Sequence, residues 1–167
     1  MNGPALFDQI IAHIRTISDL NYVFACLDEF IATFFAPKNL EEQKKIFRKL
    51  PLELASIFIQ AFANTPITPE NQITIKREID DLIDRLHQCK TIQLTIAFQP
   101  DEETVTYFSD WIKKNVKKDM LIDLRFNKAI VGGALIIADG AYKDYSVRKN
   151  LSNRFQIQKE DILGLLD

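Results

Sequence analysis

FNKAIVGGALIIADGAYKDYSVRKNL, residues Phe126–Leu151, holds the densest punctuation in the chain. It meets a Gly132–Gly133 pair, then an apolar run, Ala134–Ala138. Two adjacent glycines between alternating segments predict a sharp corner. One of them needs φ > 0 or a neighbour packed too close for a Cβ. Asp139–Gly140 fits a type I′ hairpin turn, whose two central residues both need φ > 0. The chain then returns near Tyr142–Tyr145 and enters a helical pattern. Ser146 is placed to cap that helix, with Asp144 and Arg148 bracing the corner electrostatically.

Upstream, the pattern has a period of two. Ile92, Leu94, Ile96 and Phe98 alternate with Thr91, Gln93, Thr95 and Ala97, as in a half-buried strand. Met120, Ile122, Leu124 and Phe126 repeat the alternation. Between them, Pro100 and Asp101–Glu103 open a helix running to about Val116, acidic at its start and basic at its end, as the helix dipole favours. Residues 91–167 therefore read as a small β-α-β-β domain, with the adjacency of its first two strands left open. Downstream, Val147, Leu151 and Phe155 suggest a short helix, and a second is expected over 160–166.

Residues 1–90 switch to helical spacing. A helix over 4–17 carries Leu6, Phe7, Ile10, Ile11, Ile14 and Ile17. Asp19 is expected to cap a second helix over 19–36, ended by Pro37. Asn39 with Glu42 reads as a capping box for a third, over 40–49. Pro51 starts a fourth over 51–63, apolar enough to need cover on more than one side. Asn64–Pro69, NTPITP, is the clearest break. Thr68 and Pro69 open a longer helix over 69–89, where Arg77–Asp81 and Asp81–Arg85 are placed for pairing at i,i+4. The fold class is thus α+β: a helical bundle over 1–68, a connector helix over 69–90 and the small α/β domain over 91–167.

The charge is balanced, −2 in 167 residues. Residues 1–90 carry 10 basic and 12 acidic side chains, and residues 91–167 carry 11 of each, so neither half is built to hold nucleic acid or anionic lipid by charge. No apolar run approaches the ~20 residues of a membrane span. MNGPALFDQ has no basic region followed by an apolar core, so no secretory signal is expected. Cys26 and Cys89 lie far apart and read as small apolar residues suited to a reducing compartment. Catalytic, cofactor and metal sites are all expected to be absent. There is no phosphate-cradling loop with Lys-Ser/Thr, no G-x-S-x-G and no H-E-x-x-H, and His13 and His87 stand far apart. Gly132–Gly133 lacks the spacing of a dinucleotide fingerprint.

The order I-V-G-G, apolar strand, D-G turn, D-x-S-x-R-x-x-L resembles the C-terminal signature of the ATP synthase delta subunit family, which includes the mitochondrial oligomycin-sensitivity-conferring protein. Ile130, Val131, Gly132, Gly133, Asp144, Ser146, Arg148 and Leu151 fit. Asn127 stands where the family usually has Asp, Lys128 where it often has Pro, and Tyr145 where Gly is common. The turn reads Asp-Gly where Gly-Asp is usual. A weaker similarity of helix order extends upstream to roughly Leu27. The family's N-terminal domain is usually a six-helix bundle, whereas four helices precede the connector here.

The resemblance implies a non-catalytic stator subunit of a rotary ATP synthase. Its helical domain would grip the N-terminal segments of the alpha subunits. Its C-terminal domain would engage the peripheral-stalk b subunits, coupling proton translocation to ATP synthesis. The protein would be cytoplasmic and peripheral to the inner (plasma) membrane through the complex, with no nucleic-acid partner. Phe7, Ile11, Ile14, Ile59 and Phe62 are the candidate partner-binding residues, expected near the outer flanks of the bundle as an apolar groove. The alternative is a small RNA-binding or protein-adaptor module on a β-α-β-β sheet, although the sheet lacks paired aromatics for stacking bases.

Overall fold

The computed structural model describes residues 3–34, 40–64 and 66–163. In chain order they form α1 (Gly3–His13), α2 (Ile17–Ala32), α3 (Leu40–Phe47), α4 (Leu52–Phe62), α5 (Pro69–His87), β1 (Lys90–Ile96), α6 (Glu102–Asn115), β2 (Met120–Phe126), β3 (Ala134–Ala138), β4 (Ala141–Asp144) and α7 (Val147–Leu163). The architecture is α+β, helices first and sheet second. Two compact units emerge: Met1–Lys90 with Ile112–Leu121, and Thr91–Trp111 with Ile122–Asp167.

The first unit is built on apolar helix faces. α1 packs on α4 and α5, α3 on α2 and α4, and α5 also on α2. Phe30, Phe47, Phe58 and Phe62 are each no more than 2% exposed. They form a ring chain, with centroids 4.7 Å apart for Phe30–Phe47, 5.3 Å for Phe47–Phe58 and 6.2 Å for Phe58–Phe62. Such pairs add roughly 0.5–1.5 kcal/mol each beyond simple burial. Ile79, Leu82 and Leu86 bring α5 into the same core, and Leu121 joins it.

Several boundaries differ from the periodicity. α1 ends at His13 because Thr16 and Asp19 start α2 with a reciprocal capping box. The Asp19 amide donates to Thr16 Oγ1 at 3.1 Å, and the Thr16 amide donates to Asp19 Oδ2 at 3.0 Å. Asp19 is thus the third helical residue rather than the cap, and Ile17 opens α2. Thr68 and Asn71 repeat the device for α5, the Thr68 amide donating to Asn71 Oδ1 at 2.8 Å. On α5 Lys76 pairs with Asp80 at 2.6 Å, and the pairs expected of Asp81 with Arg77 or Arg85 do not form among the described residues. The expected stop at Pro37 and cap at Asn39 lie outside the described residues.

The sheet of the second unit has the order β2-β1-β3-β4. β1 pairs antiparallel with β3, placing Leu94 opposite Ile136, and β3 pairs antiparallel with β4, placing Ile137 opposite Tyr142. The sheet is mixed, so the neighbours β1 and β2, joined through α6, run parallel. A helical crossover is the connection that parallel neighbours require. Ile92, Leu94 and Ile96 lie buried on one face of β1. Phe98 falls beyond the strand and is 52% exposed. The Thr104 amide donates to Asp101 Oδ1 at 2.8 Å, holding the first turn of α6. The two short helices expected after Ser146 are one helix, α7, as far as Leu163. Residues 164–166 lie outside the description.

Candidate functional site

The corner read from Gly132–Gly133 is a built feature. Gly133 has φ +83°, and a Cβ placed on it would lie 2.2 Å from the Tyr145 carbonyl oxygen and 3.0 Å from Ser146 Cα. Both reasons for glycine, a left-handed backbone and a close approach, hold at this one residue. At Gly132 a Cβ would meet Val147 Cγ2 at 3.0 Å. The two chain segments are laced by backbone hydrogen bonds. The Tyr145 amide donates to the Ala134 carbonyl, and the Val147 amide to the Gly132 carbonyl, both at 2.9 Å. The corner thus continues the β3–β4 pairing outward and fixes where α7 begins. Asp139 and Gly140 in the connecting turn have φ 47° and 76°, as a type I′ turn requires.

Ser146 is buried and caps α7, its Oγ accepting from the Lys149 amide at 3.3 Å. The Ser146 amide donates to Asp144 Oδ1 at 2.8 Å. Hydrogen bonds from Ser146, aided by the Lys149 charge, hold the Asp144 carboxyl below its usual range. Arg148 departs from its expected bracing role. Its side chain is exposed and forms no ion pair with Asp144 among the described residues. Gly132, Gly133, Asp144 and Ser146 therefore gather at one corner, while Arg148 faces out of it.

The five candidate partner-binding residues all lie in the helical unit. Ile11, Ile14 and Phe62 are 4%, 0% and 2% exposed and belong to its core. Phe7 and Ile59 are half-buried and pack against that core. The expected outer flank is covered because α1 packs against both α4 and α5. A cavity of about 370 Å³ opens in the same unit, lined by His13, Arg15, Asp19, Tyr22, Lys49 and Leu54 among others. Its charges are paired at hand: Arg15 with Asp19 at 4.0 Å, and Lys49 with Glu29. Cys26 is buried and Cys89 half-buried, and desolvation raises both thiols above their usual range. His87 stacks on Phe24 with ring centroids 4.5 Å apart.

Sequence reasoning missed Lys113. Its ammonium donates to the carbonyls of Ile11, Ala12 and Ile14 at 2.7, 3.1 and 2.6 Å, around the end of α1. No local pattern could have found it, since about a hundred residues separate the partners.

A helical unit, a four-stranded mixed sheet and a glycine corner locked by backbone contacts define an α+β protein. The family model described as ATP synthase delta (OSCP) subunit matches residues 29–156, and the chain belongs to that family. No curated protein shows a significant match to the chain. The family is a structural subunit of ATP synthase, so the chain's partners are other subunits of that membrane-associated complex. Among the described residues no helix is long and apolar enough to cross a membrane.

Proposed function

We propose that the protein is a non-catalytic stator subunit that links the catalytic head of a rotary ATP synthase to its peripheral stalk. In this reading it holds the head against rotor torque, coupling proton translocation to ATP synthesis. It works on the cytoplasmic side, peripheral to the inner (plasma) membrane. The observation that carries the reading is the family match over residues 29–156, which spans the last helices of the first unit and the whole glycine corner. The division into a bundle over 1–68, a connector over 69–90 and an α/β domain over 91–167 belongs to the same proposal.

The helical unit takes an amphipathic helix from the N-terminus of an alpha subunit. Phe7 and Ile59 offer the accessible apolar edge, and Ile11, Ile14 and Phe62 form the floor behind them. The C-terminal unit takes the b subunits. The contacts to alpha are apolar, so added salt weakens them little. No nucleotide chemistry is assigned to the chain itself.

The test is affinity capture of the native protein under mild detergent, with identification of what is retained. Alpha and b subunits are the expected recovery. Capture of other proteins with no ATP synthase subunit among them would overturn the assignment. Calorimetric titration with Mg-ATP is expected to give no saturable heat at sub-millimolar concentration.

A further inference from the structure

The end of α1, the start of α2 and the segment before α4 frame the cavity of about 370 Å³ in the helical unit. That volume lies toward the lower end of the ~300–1,000 Å³ usual for small-molecule sites. Its floor is apolar, since Leu50 and Leu54 are both buried. The Tyr22 hydroxyl donates to the Lys49 carbonyl at 3.1 Å, which ties α2 to the segment before α4 and stands the phenol ring at the cavity wall. The lining carries Arg15, Lys49 and His13 against one carboxylate, Asp19.

That carboxylate is committed to the backbone. Asp19 Oδ2 accepts from the Arg15 and Thr16 amides, both at 3.0 Å, and the Arg15 guanidinium comes no closer to it than 4.0 Å. Lys49 pairs with Glu29, which lies outside the lining, and both of those side chains are more than 40% exposed. Ion pairs this open to solvent contribute little, so a bound group of better geometry can recruit the cation. A carboxylate or phosphate offers the planar fork of Arg15 two acceptors side by side, which the approach of Asp19 does not.

We infer that this cavity binds a small organic anion, with a single carboxylate or phosphate group on a compact apolar body. The head group meets Arg15 and Lys49, and His13 donates a further hydrogen bond from its ring N–H. The body lies on Leu50 and Leu54 beside the Tyr22 ring. The lining includes no glycine-rich loop to wrap a polyphosphate chain, so a nucleoside triphosphate is the poorer match. None of the five apolar residues assigned to the alpha-subunit helix lines the cavity, and the inference does not rest on the stator reading.

The test follows backbone amide shifts and thermal melts of the full chain. The probes are phenyl phosphate and phenylacetate, with phenol and phenethylamine as the neutral and cationic controls. At least one of the two anions is expected to give saturable shifts over residues 13–22 and 49–54 at millimolar concentration or below, and to raise the melting temperature as it saturates. The tighter of the two identifies the head group. Phenol and phenethylamine are expected to leave those residues unmoved. Lys49→Gln and Arg15→Gln should each weaken the tighter anion roughly tenfold. Lys143→Gln, the same charge change in the second unit, should leave the affinity as it is. Should Arg15→Gln melt early through its place beside the α2 cap, Lys49→Gln decides. Neither anion shifting these residues would overturn the site. So would phenol binding as tightly as the anions, or Lys49→Gln binding them as tightly as the parent. Shifts at the same residues from an alpha-subunit N-terminal peptide, with none from the anions, would overturn the small-molecule site and favour the stator reading.

Discussion

The Tyr145 carbonyl oxygen sits where a Cβ on residue 133 would have to be, 2.2 Å from the ideal position on Gly133. That oxygen cannot retreat freely. The Tyr145 amide is bound to the Ala134 carbonyl and the Val147 amide to the Gly132 carbonyl, so the segment is held on both sides. The φ of +83° adds a second penalty for any side chain.

Gly133→Val, and equally Gly133→Ala, is therefore expected to destabilise by at least about 1–3 kcal/mol. In a chain this size each kcal/mol lowers the melting temperature by roughly 2–4 °C. Gly132→Ala should cost less, because only a Val147 methyl at 3.0 Å needs to give way. Thermal melts of the three variants check the order. A Gly133→Val protein as stable as the parent that had lost one binding partner would make the corner itself a site.

Ser146 and Asp144 give a pH-dependent prediction. Ser146→Ala removes the cap of α7 and should cost about 1 kcal/mol. The Asp144 carboxyl is held below its usual range by hydrogen bonds from Ser146, so the folded state favours its charged form. Its contribution is then full above the unfolded pKa of ~3.9 and is lost as pH falls through the lower folded value. Asp144→Asn should melt below the parent at neutral pH, and the gap should close in acid below that range. A gap that stays constant from neutral pH into acid would assign the effect to geometry and not to charge.

The features legible in the sequence were those whose partners lie close along the chain. The Asp139–Gly140 turn and the Ser146 cap depend on backbone needs within a few residues, and the glycine pair marked the corner although its contacts, with Tyr145 and Val147, lie across the hairpin. Strand alternation and helix spacing gave the element order for the same reason. The end of α1 was misplaced because apolar periodicity ran through Ile14 and Ile17, while the Thr16–Asp19 box set the boundary between them. Burial of Ile11, Ile14 and Phe62 could not be read either. Periodicity identifies an apolar face but does not say whether a neighbouring helix covers it, and α1 is covered by both α4 and α5. Arg148 was given to the corner together with Asp144 and Ser146, but its side chain is exposed. The adjacency of β1 and β2 depends on long-range pairing, which alternation leaves open.

The phenylalanine chain should dominate the stability of the helical unit. Phe47 is fully buried, with ring centroids 4.7 Å from Phe30 and 5.3 Å from Phe58. Phe47→Ala removes an aromatic ring from the middle of that chain and should cost about 3–5 kcal/mol. Denaturant unfolding followed by far-ultraviolet circular dichroism would measure it. A loss below about 1 kcal/mol would mean that the neighbouring rings collapse into the space left behind.

Lys113 supplies the last test, on a contact within the first unit. Helix ends leave carbonyls without intrahelical partners, and a cation there also meets the negative end of the dipole. The Lys113 ammonium meets this need for α1, donating to the carbonyls of Ile11, Ala12 and Ile14 at 2.6–3.1 Å. Lys113→Met keeps most of the aliphatic stem and removes the donor. Because the contact is partly buried, water replaces the ammonium incompletely, and the loss should be about 1–3 kcal/mol. Salt should change the parent's stability little through this contact, since buried charges are weakly screened. Amide exchange would localise the effect: protection should fall first at the end of α1 and around residues 112–121. A Lys113→Met protein with the parent's unfolding midpoint and unchanged exchange at α1 would show that solvent satisfies these carbonyls equally well.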